Sequence, residues 1–554
     1  MRSLRLSFIA VVVVAWSCGG GGGTSRPAAL SSRWTAPPIL SHVPADSPYL
    51  VAVLEPMDES LRRRMLQGFD KQIAESMHML DKARDSGHTL EPWMRVVSAI
   101  MNELRGKDAA TWTEQLGFDP RGKFVLYGLS VWPVVRIEIA SPARLRAAIE
   151  RVLTAAGEKP QQRTLDGRAY WVAGGKELSF VASVLDREAV VAVVPTGSLD
   201  AALPLVLGTR MPERSLAATD TVPELFGRHR FLGVLLAYVD ARNLVDSATR
   251  PGAGPFDAPL RAATGPISPA CRADLDRLAV IAPRLVLGYR RIDQTGFEAS
   301  AVVETAPGVV SGLRKLHTSV PEVTAPLTGH PMFALGAAVD PRQLVAWLQG
   351  VTQKLHDHPF ACPWFSDLNE AGRDLADKLA QPLPPTWLGV RGFSMVVDDV
   401  TSSPLAVAGH VLVAGDRIAD LVSSVAGAIP WIAGIPLARN GQPMALPIRQ
   451  LQLPVASAHL ALTTDRLVIA AGENSERRAT EHLAAPAPRS SPLALMAFDV
   501  PRLQSILAKL GEHSSQTFGY VRDLGISLDL VDEGVALDMW GTWAPASPSA
   551  PTAP

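Results

Sequence analysis

His356, His358 and Cys362, in H-D-H-P-F-A-C, come nearest to a metal site by residue type, since imidazoles and a thiolate are ligands that zinc takes. Pro359 breaks any helix that would carry all three on one face, and no fourth ligand stands nearby. The competing reading, a solvated helix end followed by a cysteine engaged elsewhere, leaves the metal ligands at none. Other chemistry is scarcer still. The chain has no G-x-x-x-x-G-K-[ST], no H-E-x-x-H and no C-x-x-C, and its one glycine-rich run, Gly19 to Gly23, follows no strand. Ser394, in R-G-F-S-M-V-V, lacks the second glycine of a nucleophile elbow and lies in a strand pattern. The sequence therefore assigns no catalytic residue and no cofactor.

Acidic residues recur at one kind of place. Met332 to Leu348 reads as an apolar strand, Asp340, then a helix; Phe231 to Val245 repeats this around Asp240, and Leu493 to Leu507 around Asp499. Tyr49 to Leu61 is a looser copy with Glu55 at the junction. A carboxylate just before a helix accepts from its unpaired N–H groups and meets the positive end of the dipole. Pro341 follows at the first helical position, where a missing N–H is harmless. Capping explains the spacing, so these acids are read as helix starts rather than as ligands or catalysts.

At 554 residues and 47% apolar content the chain fills two or more cores. The formal charge of −1 gives no electrostatic case for a nucleic-acid partner. Arg2 and Arg5 precede an apolar run from Leu6 to Trp16, too short to span a bilayer and the right size for a secretory leader over residues 1–17. Ala15, Trp16 and Ser17 then lead to Cys18, and five glycines follow. This stretch resembles the bacterial lipoprotein signal, although Ala15 stands where that family usually has Leu, and Trp16 is bulky. The resemblance implies diacylation of Cys18, which becomes the mature N-terminus, and Gly19 after it implies the outer membrane, periplasmic face. Cleavage by an ordinary signal peptidase, leaving a soluble periplasmic protein, is the alternative. On the lipoprotein reading residues 18–39 form a flexible tether. The lipid chains anchor the protein by burying methylenes at roughly 0.8 kcal/mol each. Pro44 to Tyr49, P-A-D-S-P-Y, resembles the start of a group of uncharacterised bacterial envelope proteins, which supplies no activity.

Export decides what the remaining cysteines do. With Cys18 given to lipid, Cys271 and Cys362 are an even number in an oxidising compartment and are expected to pair. Closing a loop of about 90 residues would then stabilise the fold by roughly 4 kcal/mol. Two buried free thiols are the alternative.

Internal similarity extends well beyond the strand–acid–helix unit. Val134 to Ile149 matches Leu405 to Leu421 as strand then helix. L-D-G-R-A-Y-W-V from Leu165 matches R-N-G-Q-P-M-A-L from Arg439, and the run from Leu185 matches that from Thr464. Arg284 to Val303 matches Gly525 to Trp540, hairpins turning at Gly296 and Gly534. These matches predict an α+β fold of two tandem duplicated halves, 40–316 and 322–544, with a disordered tail over 545–554. Within Val134 to Ile139, apolar residues alternate with Arg136 and Glu138, the period of a sheet with one wet side. Asp166-Gly167 and Asn440-Gly441 are hairpin-type turns. Helical spacing is clearest over Met57 to Ser86 and Pro92 to Leu104. Hairpins interleaved with helices predict mostly antiparallel sheet with helices packed on one face.

One stretch fits this grammar poorly. Leu421 to Ala438 carries no charge, and Pro430 and Pro436 break it. Either it folds onto its own core, or Trp431, Ile432 and Ile435 form an apolar tip that meets a bilayer or a partner. Taken together, the sequence leads to an outer-membrane lipoprotein with a non-catalytic binding or structural role and an envelope protein as partner. A carrier of an apolar ligand is the second reading, and an enzyme with an unrecognised site the third.

Overall fold

The computed structural model describes residues 34–63, 92–157, 161–249, 267–327, 330–402, 405–426, 437–448, 455–509 and 521–545. Cys18, the apolar tip at Trp431, Ile432 and Ile435, and residues 546–554 lie outside them, as does the second half of the helix expected over Met57 to Ser86. Among the described residues no helix is long and apolar enough to cross a membrane. The chain divides into two units, the break falling between Ala301 and Val302, ahead of the joint expected at 316–322.

The fold is α+β, and the paired strands of both units run antiparallel. In the first unit the strands are β1 (Tyr49–Val53), β2 (Phe124–Leu129), β3 (Trp132–Glu138), β4 (Gln162–Leu165), β5 (Arg168–Gly174), β6 (Leu178–Val184), β7 (Glu188–Pro195), β8 (Leu236–Asp240), β9 (Arg284–Ile292) and β10 (Gly296–Glu304). Their order is β4-β5-β6-β7-β3-β2-β1-β8-β9-β10. Its helices are α1 (Pro92–Leu104), α2 (Ala109–Leu116), α3 (Pro142–Ala155), α4 (Leu199–Leu207), α5 (Thr221–His229), α6 (Ala241–Thr249) and α7 (Pro269–Ile281). Asp166 and Gly167 both take positive φ in the β4–β5 hairpin, where glycine's freedom is needed.

The expectation of helices on one face fails here. β2 is F-V-L-Y-G-L, buried at every position. Its Val125, Tyr127 and Leu129 pack with Leu203 and Val206 of α4 and Leu225 of α5. Its Phe124 and Leu126 pack on the other side with Trp112 of α2 and Leu145 of α3. A central strand with both faces covered has no wet side, so alternation read from β3 alone described the wrong environment. Arg136 of β3 is accordingly not solvated but fully buried. The expected tether is also shorter than 18–39, because Ile39 and Leu40 are already buried in the core.

In the second unit the strands are β11 (Phe333–Ala338), β12 (Val390–Ser402), β13 (Leu405–Gly415), β14 (Met444–Ala445), β15 (Ala458–Leu462), β16 (Arg466–Ala471), β17 (Ala494–Asp499), β18 (Val521–Val531) and β19 (Gly534–Trp543). Their order is β14-β15-β16-β13-β12-β11-β17-β18-β19. Its helices are α8 (Pro307–Leu313), α9 (Pro341–Asp357), α10 (Ser366–Leu379), α11 (Ile418–Ala426), α12 (Ser475–Leu483) and α13 (Val500–Lys509). Both faces are apolar here too: Ala461 of β15 joins Leu412 and Ala479, while Leu460 and Leu462 join Ile418 of α11. Gly441 has the expected positive φ, and among the described residues 437–440 no strand leads into it.

The junction acids do cap helices. Asp340 accepts from the N–H groups of Arg342 and Gln343, Asp240 from Asn243 and Asp499 from Arg502. Glu55 does not; Asp58 takes that role, accepting from Ser60 and Leu61. The longer Glu side chain is a poor cap, and the shorter acid three residues on replaces it.

Candidate functional site

The structure does not gather the metal-type residues picked from sequence. His356 lies in the last turn of α9 and His358 just past it, both exposed. Cys362 is buried and disulfide-bonded, as is Cys271, so neither offers a thiolate.

A different set converges inside the second unit. On β13, His410 shares a face with the buried Leu412 and lies opposite Val396 of β12 and Ala470 of β16. On α12, His482 follows Ala479 by three residues, which places it over the same apolar cluster that Ala479 enters. Between them comes Glu322, from the turn that leads to β11. Its neighbours Val320 and Val323 are fully buried, and Ser491 clamps Val320 by hydrogen bonds with both its N–H and its C=O. The turn so pinned holds Glu322 at φ +68°, a left-handed conformation that costs a non-glycine residue about 1–2 kcal/mol.

His410 Nε2 donates to Glu322 Oε2 at 2.7 Å, and His482 Nδ1 donates to Oε1. The hydroxyl of Ser394 in β12 adds a third bond, to Oε2 at 3.2 Å. The two imidazole rings stack with centroids 3.5 Å apart and planes 17° from parallel. Burial works to raise the Glu322 carboxyl, but the hydrogen bonds and charge of the two histidines outweigh it and hold it at about 2. Glu322 is therefore ionised at neutral pH.

The cluster is not closed. His410 Nδ1 is buried with no hydrogen-bond partner among the described residues, while the Glu322 and His482 side chains are 20% and 28% exposed. One oxygen and two nitrogen donors within 4.8 Å of one another can trade protons or ligate a cation. Sequence reading missed them because no local motif joins residues 88 and 160 positions apart. The one available signal was a histidine breaking the small and apolar run of β13.

A cleft of about 420 Å³ in the first unit is lined by the charged Glu59, Arg62 and Arg144 together with Phe118, Pro120 and Ala140. Comparison of the chain with protein families, with curated proteins and with solved structures finds no match.

Proposed function

We propose that the protein is a lipid-anchored component of the bacterial outer membrane, held at Cys18 and facing the periplasm. Its body is two copies of one antiparallel module, and its role is to bind an envelope protein without catalysis. The leader pattern supports the address. The duplication is supported by the strand orders: the first unit's β7-β3-β2-β1-β8-β9-β10 corresponds, strand for strand, to the second unit's β16-β13-β12-β11-β17-β18-β19.

The observation that carries the binding role is a set of exposed apolar side chains on corresponding strands. In the first unit Val239 of β8 pairs with Leu285 of β9, and Leu287 follows on the same face; all three are exposed. In the second, Met496 of β17, Leu528 of β18 and its partner Leu537 of β19 are exposed likewise. Contiguous apolar positions left in water mark an interaction surface better than scattered ones do.

Fractionation tests the address: Cys18→Ser moves the protein from the membrane to the soluble periplasmic fraction. A photo-crosslinking residue at Leu287 or Leu537 gives a discrete adduct in native envelopes, and the same residue at exposed Arg477 gives none. Unchanged membrane association of the serine variant ends the lipoprotein reading, and equal labelling at all three positions ends the binding one.

A further inference from the structure

We infer that Glu322, His410 and His482 form a binding site for a divalent transition metal of the zinc type, with a coordination position left open. The inference goes beyond the proposed envelope role and does not depend on it.

The donor set is one carboxylate oxygen and two imidazole nitrogens, a combination that zinc and its neighbours favour over calcium or magnesium, which seek oxygen alone. Three protein ligands leave a tetrahedral ion one place for water or an incoming group. Each ligand comes from an element fixed independently of the others: a central strand, the last turn of α12, and a turn pinned by Ser491. A backbone held in an unfavourable region to aim one carboxylate signals function more often than packing, and Glu322 is so held.

The surroundings match what a ligated metal requires. Ser394 already hydrogen-bonds the oxygen of Glu322 that faces His410, as outer partners of ligating carboxylates do. His410 is nearly inaccessible, whereas Glu322 and His482 reach solvent, which gives an ion a way in. Metal entry breaks the two N–H···O bonds to Glu322. Each imidazole then presents a lone pair on the nitrogen that had faced the carboxylate, its remaining proton moves to the other ring nitrogen, and any extra proton held by the stack is released to solvent.

The test uses the full chain, stripped with chelator and dialysed against zinc, with cobalt(II) as the spectroscopic probe. Wild type retains one zinc per chain and gives cobalt visible bands of four-coordinate intensity; uptake falls as pH drops below about 6, where imidazoles protonate. Glu322→Gln and His482→Gln each weaken zinc affinity at least tenfold while the far-ultraviolet circular dichroism stays that of wild type. The His356→Gln/His358→Gln double variant binds as wild type does. X-ray absorption on zinc-loaded wild type, reporting two imidazoles and at least one oxygen, keeps the test valid if a variant misfolds. Wild type that retains no zinc, or zinc retained equally by the Glu322→Gln/His482→Gln variant, overturns the inference.

Discussion

In the first unit the most deeply buried charge is Arg136 on β3; in the second unit the comparable group is His410 on β13, beside Glu322. Arg136 is saturated. It binds Glu188 at 2.7 Å, the Val206 carbonyl at 2.6 Å and, at longer range, the Leu205 carbonyl and the Tyr127 hydroxyl. Two of these partners are the C-terminal carbonyls of α4, where a cation meets the negative end of the helix. His42 lies nearby, and burial followed by the charges of Arg136 and Arg168 lowers it to about 4, so it stays neutral at physiological pH. The second unit caps the matching helix from another strand: Arg466 of β16 donates to the carbonyls of Leu483 and Ala485. The place of Arg136, counted from the helix that follows, is taken on β13 by the buried Leu412.

The contrast extends to the next place on the same face, two residues earlier. At the same spacing from the helix that follows, β3 carries Val134 and β13 carries His410; the leading loops read Val43-Pro44-Ala45 and Val320-Pro321-Glu322. Val134 is fully buried among Leu203 and Val206. One unit fills this position with apolar packing, and the other places there a carboxylate and two imidazoles. A buried ionic group replaced by well-packed apolar residues usually leaves a fold as stable or more so. Arg136, held by four partners, has a structural role, and the Glu322 cluster is where we infer a site.

Four measurements would break or sharpen this contrast. The largest effect belongs to Arg136→Met, which strands Glu188 and two helix-end carbonyls; urea unfolding is expected to lose about 3–5 kcal/mol. A change under about 1 kcal/mol would place Arg136 outside the structural role. Next is Glu322→Gln, expected to cost on the order of 2–3 kcal/mol at pH 7. Because the folded-state carboxyl is depressed from 4.5 to about 2, its contribution is fully present above about 4.5 and is lost as pH falls toward 2. The two proteins should thus converge in stability across that window, and a gap that persists at pH 2 would show another cause. Asp240→Ala and Asp499→Ala, one cap from each unit, should each cost about 1 kcal/mol by thermal melting; a severalfold inequality would argue against equivalent junctions. Smallest is the triple change Glu322→Ala, His410→Val and His482→Leu, which gives the second unit the first unit's kind of packing. Its stability should match or exceed wild type within about 2 kcal/mol, and a loss larger than that would make the cluster structural after all.

How much could be read in advance depended on distance along the chain. The caps at Asp240, Asp340 and Asp499, the turn at Asp166-Gly167 and helix α1 were legible because each rests on residues within a few positions of one another. The β3 alternation was misread as a wet face because a neighbour in space set the outcome, whereas Glu55 lost the cap to Asp58, three residues on. Chain order alone brought His356 and His358 forward as candidates, and they remain at an exposed helix end.

By itself the sequence determined part of the local grammar: where several strands stop, and which acids start the helices after Asp240, Asp340 and Asp499. Backbone hydrogen bonding and φ preference act over a handful of residues, so their traces survive in one dimension. The tertiary structure alone decided which faces are covered, which arginine reaches which helix end, and that Glu322, His410 and His482 share one point. Convergence of that kind is set by how sheet and helix pack across long stretches of chain, and packing leaves no mark in the spacing of the residues it brings together.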